Sequence, residues 1–252
     1  MLASKINIYE CKSSLMRIGP KSDGGYVVPK NIINQNNMLV SIGVGFDIRF
    51  EIDFYNRTKS DIIIVDKNID IKDYKNSDLK GPRTLLRAFF NFFYLIINRR
   101  FTVQRKLISL SNSSDEIDLE TLLENVQSSK NKILKIDIER YEYNFLNEKN
   151  ISYFSENNFI AIIIEFHGLD EYHEKFLEIV NTFSRYGFYI AHLHGNNYTP
   201  FRERIGLYNC TELTIVNENS ININSKIAKL YPLKDLDFPS NGRNDEKNYS
   251  VG

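Results

Sequence analysis

"KILKIDIERYEYNFL", residues 132–146, opens as an apolar run with little alternation and then, within three residues of leaving it, presents two carboxylates, Asp137 and Glu139. Such a run is what a strand buried on both faces shows. The pattern returns in "FIAIIIEFHG" (159–168) and "FYIAHLHGNN" (188–197), so three successive strands end in ionisable side chains. Further runs of the same kind are "MLVSIG" (38–43), "DIIIVD" (61–66), "KLISLS" (106–111) and "ELTIVN" (212–217). Between most of them lie segments long enough for a crossover helix. The clearest are "DLETLLENV" (118–126), with its Asp cap, and "LDEYHEKFLEIVNTFSRYG" (169–187), closed by Gly187. This alternation predicts a doubly wound α/β fold around a mostly parallel, seven-stranded sheet. One domain is the simpler count: a covering segment over 1–37, the α/β core over 38–217, and an extension over 218–252 whose polar end, "FPSNGRNDEKNYSVG" (238–252), reads as loosely held.

Composition narrows the function classes. The 252 residues are 42% hydrophobic, enough for a substantial core, and Lys plus Arg balance Asp plus Glu at 32 each. A zero net charge gives no global attraction to nucleic acid. Cys11 and Cys210 stand alone, which suits a reducing compartment and provides neither a disulfide framework nor a zinc set. The N-terminus lacks the apolar core of a signal peptide, and a cytoplasmic protein is expected. "RTLLRAFFNFFYLIINRRF" (83–101) falls short of the ~20 apolar residues that span a bilayer. It reads as a helix packed on the sheet or on a second subunit, or as a basic-flanked helix resting on a membrane surface. Exposed Phe89, Phe90, Phe92 and Phe93 would favour a homodimer or peripheral membrane contact.

Ligands of doubly wound sheets bind outside the carboxyl ends of the strands, where the order reverses. In "SIGVGFDIRFE" (41–51), Gly43 and Gly45 directly follow a strand and let the backbone turn close to a ligand. Asp66 ends the next strand, where a carboxylate accepts the hydroxyls of a ribose. The bland alternative is an ordinary turn and a capping Asp. A dinucleotide site would carry a third glycine where Ile48 stands, and Asp47 lies where a phosphate would sit. Both argue against NAD and for a cofactor with a ribose and no phosphate, S-adenosylmethionine.

"KILKIDIERYEYNFL" also resembles the "LKIDIEGAEW" signature of FkbM-type, S-adenosylmethionine-dependent methyltransferases. "RIGPKSDGGYVVP" (17–29), "IIIEFHG" (162–168) and "AHLHGNN" (191–197) resemble companion blocks of a bacterial branch that acts on sugars of surface polysaccharides. The resemblance covers about residues 17–217, and it implies a Rossmann-like class I methyltransferase fold. Arg140-Tyr141 replaces the family's Gly-Ala, and Tyr143 replaces its Trp.

Methyl transfer to a hydroxyl needs an in-line approach and removal of one proton. His167, His173, His192 and His194 fall within 28 residues; His173 sits in a polar helix and reads as surface. Two arrangements remain open. His194 or His167 is the general base, oriented by Asp137 or Glu165; or Asp137, Glu165 and His194 hold a divalent cation, magnesium or manganese, that grips sugar hydroxyls. Glu139 and Glu142 read as the exposed face and start of the following helix. Arg17, Asp23 and Tyr26 are expected to shape a lid over the donor or the acceptor, with Asn196 on the acceptor side. Ser111 or Asn112 is expected to contact adenine. The reading is a sugar O-methyltransferase whose substrate is a sugar or nucleotide sugar. Its rivals are an NAD-dependent oxidoreductase and a non-catalytic sugar-binding protein of the same fold.

Overall fold

The computed structural model describes residues 1–69, 82–124, 126 and 130–252, with the side chains of 82–85, 87, 88, 92 and 96 outside the described set. The expectation for Phe92 therefore lies outside the described residues.

Among the described residues nine strands form the main sheet, numbered here in chain order. They are β1 (Ile8–Cys11), β2 (Asn37–Ile42), β3 (Ile62–Val65), β4 (Phe101–Gln104), β5 (Asn131–Ile136), β6 (Phe159–His167), β7 (Phe188–Gly195), β8 (Cys210–Asn217) and β9 (Ile223–Ile227). Their spatial order is β9-β1-β7-β8-β6-β5-β2-β3-β4. From β4 to β6 every neighbour is parallel; β8 runs antiparallel between β6 and β7, and β9 runs antiparallel to β1. The sheet is thus mixed and nine-stranded, where the apolar runs predict seven.

Two of the differences lie at one end of the sheet, where β9 is the edge and β1 stands next to it. β1 buries only Ile8 fully and β9 buries no residue fully, so neither shows the continuous apolar run that marks a central strand. The third concerns "KLISLS". Only Leu107–Ile108 of it is extended, paired with Glu116–Ile117 in a separate two-stranded piece, and Leu107 and Leu110 are exposed. The sheet strand is β4, reached from the preceding helix through a turn in which the Phe101 N–H donates to the Asn98 carbonyl. β4 pairs with β3 from Ile62↔Phe101 to Val65↔Gln104.

Helices α1 (Arg49–Thr58), α2 (Pro82–Ile97), α3 (Leu119–Leu123), α4 (Glu142–Phe145), α5 (Glu148–Glu156) and α6 (Leu169–Arg185) cover the two faces. Strand alternation decides which side each residue serves. Val40, Ile42, Leu134, Ile136, Ile162 and Ile164 join a core with α3, Phe154 of α5 and Phe176 and Phe183 of α6. Leu39, Ile62, Ile64, Ile133 and Ile163 join a second core with Phe50 and Phe54 of α1 and the hairpin of Leu15–Ile18 and Tyr26–Pro29. A fully buried side chain of this size contributes about 1.5–3 kcal/mol, so the two cores fix the strand tips in place. Asp118 caps α3 by accepting from the Thr121 N–H.

The polar end of the chain is strapped down, contrary to the expectation of a loose tail. Asn197 accepts from the Asn241 N–H, and its amide donates to the Asn241 and Asn244 carbonyls. The Asp23 N–H donates to the Ser240 carbonyl, and Tyr249–Val251 pairs with Lys229–Tyr231. Hydrogen bonding, which the polar composition does not reveal, holds this segment. Among the described residues no helix is long and apolar enough to cross a membrane.

Candidate active site

The strand order reverses between β2 and β5, and the two tips there touch. The Asp137 N–H donates to the Ile42 carbonyl at 3.0 Å, extending the ladder to the last residue. Gly43 follows with φ of +74°, and a Cβ at that position would lie 1.7 Å from the Asp137 carbonyl oxygen. Only glycine permits this approach. Gly45, at φ +53°, has open space where a Cβ would point. Asp66 Oδ2 accepts from the N–H groups of Val44 and Gly45 at 2.9 and 2.7 Å, and its Oδ1 accepts from Asn68 at 2.7 Å. The carboxylate therefore holds the glycine turn in shape, and lone pairs remain for ribose hydroxyls on the open side. These residues fit a ribose-bearing cofactor. On the inner side, the Asn91 amide of α2 donates to the Phe46 carbonyl at 2.7 Å.

Next along the sheet edge, His167 gathers the acids. Its Nε2 lies 3.7 Å from Asp137, 3.6 Å from Glu139 and 3.9 Å from Glu165, at ion-pair range but beyond direct hydrogen bonding. Its Nδ1 is 3.3 Å from Glu142 Oε1, which also accepts the His167 backbone N–H at 2.7 Å. Burial pulls the imidazole pKa down, but the hydrogen bond to Glu142 and the charges of Glu165 and Asp137 prevail and raise it to about 9. Burial raises Asp137 against the opposing pull of Lys135 and His167. Glu165 is raised further, by burial first and then by the Asp137 and Glu212 charges.

Glu165 sits at the junction with the acceptor side. Its Oε1 accepts from the Asn196 amide and the Cys210 thiol at 2.8 and 2.7 Å; its Oε2 is 3.4 Å from the Tyr26 hydroxyl. Asn196 also reaches Asp23 Oδ1 at 3.4 Å. Asp23, Tyr26, Glu165 and Asn196 are thus brought together, from the hairpin, β6 and the end of β7. Beneath them the buried Lys135 ammonium lies 3.7 Å from Glu51 and over the Tyr26 ring.

Two expected site residues, His194 and Asn112, have other partners. His194 is the first: Nδ1 faces Glu212 at 3.4 Å and Nε2 faces Glu246 at 2.7 Å. Burial is outweighed by these two bonds, and its pKa rises to about 10. A charged, doubly engaged imidazole has no lone pair for a proton or a metal ion. His167 takes the place proposed for it beside Asp137 and Glu165. Arg17 donates to the carbonyls of Pro20, Ser22 and Leu236, bracing the loop that carries Asp23. Asn112 donates to Asp118 and Thr121 at the α3 cap, and both it and Ser111 are exposed. Of the residues that sequence reasoning missed, Glu142 matters most. Read as part of an exposed face, it is fully buried at the start of α4. Glu246 and Glu212 carry no local signal, because each meets His194 across the fold.

A reversal between two parallel halves, with one antiparallel strand inserted beside the last parallel one, defines the class I methyltransferase topology. The sequence matches the model of the methyltransferase FkbM domain over residues 19–190, and the chain belongs to that family. It is a methyltransferase that uses S-adenosylmethionine. Among solved structures, the chain is similar to the fibrillarin pre-rRNA processing protein of Methanococcus jannaschii (12% identity, 74% of this chain and 69% of that one, TM-score 0.38). It is also similar to the magnesium protoporphyrin IX methyltransferase of Synechocystis with bound S-adenosylmethionine (14% identity, 71% and 69%, TM-score 0.40). No curated protein matches the sequence.

Proposed function

We propose that the protein methylates a hydroxyl of a sugar in a surface-polysaccharide precursor. The observation that carries the reading is the backbone approach of Gly43 to Asp137, because it puts Asp137, whose carboxylate lies 3.7 Å from His167 Nε2, on the strand tip beside the donor's glycine turn. Bound there, S-adenosylmethionine supplies an electrophilic methyl group on a sulfonium. Asp66 and the Gly43–Gly45 turn would hold its ribose end, and the acceptor oxygen would take the methyl group while the electron pair of the broken bond stays on sulfur. Asp137 takes the hydroxyl proton. His167, held by Glu142, keeps a positive charge among the carboxylates and so keeps Asp137 ionised at neutral pH. Asn196, Tyr26 and Asp23 mix donors and acceptors on the acceptor side, which matches a hydroxyl-rich ligand.

A second reading concerns the same atoms. Asp137, Glu139 and His167 each offer a ligand atom within 4.8 Å of the others. Magnesium or manganese on this set would bind adjacent sugar hydroxyls and acidify one of them.

Mass spectrometry of nucleotide sugars and glycan fragments incubated with S-adenosylmethionine tests both. A sugar gaining one methyl group supports the first reading, and turnover that stops with a chelator and returns with added cation supports the second. Methyl transfer to some other acceptor, with every sugar unmodified, overturns the assignment.

A further inference from the structure

Exposed apolar side chains are concentrated in one place. On α2, Leu86, Phe89, Phe90, Phe93 and Ile97 are each 52–60% exposed. Their spacing of i, i+3, i+4, i+7 and i+11 puts them on one face of the helix. Asn91, Tyr94 and Leu95 lie on the opposite face and pack inward. Leu107 and Leu110, also exposed, follow in the same stretch. Charge marks it too. Between Asp78 and Asp115 the chain carries seven lysines and arginines and no acid, although its total charge is zero. Asp61 answers Arg100 from outside the stretch and is shared with Lys130.

We propose that the outer face of α2 docks on an anionic lipid surface. An aromatic and aliphatic stripe flanked by arginines is the pattern of a helix that lies in the headgroup region. A basic cluster of this size matches the negative potential of acidic lipids. Sixteen residues of helix reach about 24 Å, too short to cross a hydrocarbon core of about 30 Å, so α2 lies along the surface. A second copy seated face to face would bring two such cationic stretches together with no acid of their own to pair them. The inner face holds the donor turn through Asn91 and Phe46, so docking places that turn about one helix diameter, ~10 Å, from the lipid. The inference is independent of which acceptor is methylated.

The chain contains no tryptophan, so Phe90→Trp introduces a single indole reporter at an exposed position. Added vesicles of phosphatidylcholine with phosphatidylglycerol should shift its emission to the blue, and brominated lipid should quench it. Vesicles of phosphatidylcholine alone should bind about tenfold more weakly or worse, and high salt should release the protein. Phe89→Ser with Phe93→Ser in the reporter background should abolish the shift while S-adenosylhomocysteine binding and the far-ultraviolet spectrum stay unchanged. An unshifted reporter, or equal binding to both vesicle types, overturns the proposal. A blue shift that grows with protein concentration without lipid, together with a dimer in sedimentation, would instead give the face to a second copy.

Discussion

At the scale of single residues, Asp137 and Glu142 have separable tasks. Asp137→Asn keeps the shape and removes the proposed base, so turnover should fall by roughly 10²–10⁴-fold while S-adenosylhomocysteine still binds in titration calorimetry. Retained turnover would remove Asp137 from the chemistry. Glu142 touches His167 alone among the cluster and acts by positioning it. Glu142→Gln removes the hydrogen-bonded charge that raises the imidazole, so His167 should lose its proton at a lower pH than about 9. Titration of the imidazole by NMR should show that shift, with KM little changed; an unmoved titration would leave Glu142 a structural role only. Arg140 is different. It stands where the family signature has glycine and adopts φ of +79°, a left-handed conformation that costs a side-chain-bearing residue about 1–2 kcal/mol. Its pair with Glu171 is exposed and offsets little of this. Arg140→Gly should therefore raise stability by about 1 kcal/mol in urea denaturation. Asp137, Glu165 and His167 were legible because each ends an apolar strand. Glu142 was not: four residues into a polar stretch nothing separates an acid facing solvent from one folded under a neighbouring strand tip.

At the scale of elements, legibility follows burial on two faces. β2, β3, β5, β6, β7 and β8 announce themselves as apolar runs, since helices or the hairpin cover them on both sides. β1, β4 and β9 lie toward the sheet edges. β4 is a four-residue strand beside Arg99 and Arg100, and β9 leaves its middle residues exposed. Composition likewise misjudges the C-terminal strap. Its backbone meets Tyr208, Asn197 and Asp23, and Glu246 reaches His194 from 52 residues away, a pairing no local pattern encodes. The expected consequence is slow amide exchange at Asn241, Lys247 and Tyr249, comparable with the adjoining strands. Exchange at the rate of a free peptide would show the strap to be open in solution.

At the scale of the whole molecule, the buried cluster couples stability to pH in one direction. His167 and His194 have folded pKa values raised to about 9 and about 10 from an ordinary 6.5. The folded state then holds protons that the unfolded chain has released, so their contribution is complete below about pH 6.5 and is lost as pH rises through 9 to 10. Glu165 adds to the trend, because its folded pKa is also raised and its ionisation in the interior is costly. Exposed carboxylates such as Asp115, lowered by the hydrogen bond from Lys67, act only in the acid range and leave this window untouched. Moving from pH 6.5 to 10 should thus remove several kcal/mol, read as a fall of at least about 10 °C in Tm for a chain of this size. Glu246→Gln isolates the His194 share. With one of two flanking charges gone, the histidine should titrate lower, the variant should be less stable than the parent at pH 7, and the two curves should converge toward pH 10. Parallel curves across that range would mean that the His194–Glu246 pair does not drive the dependence.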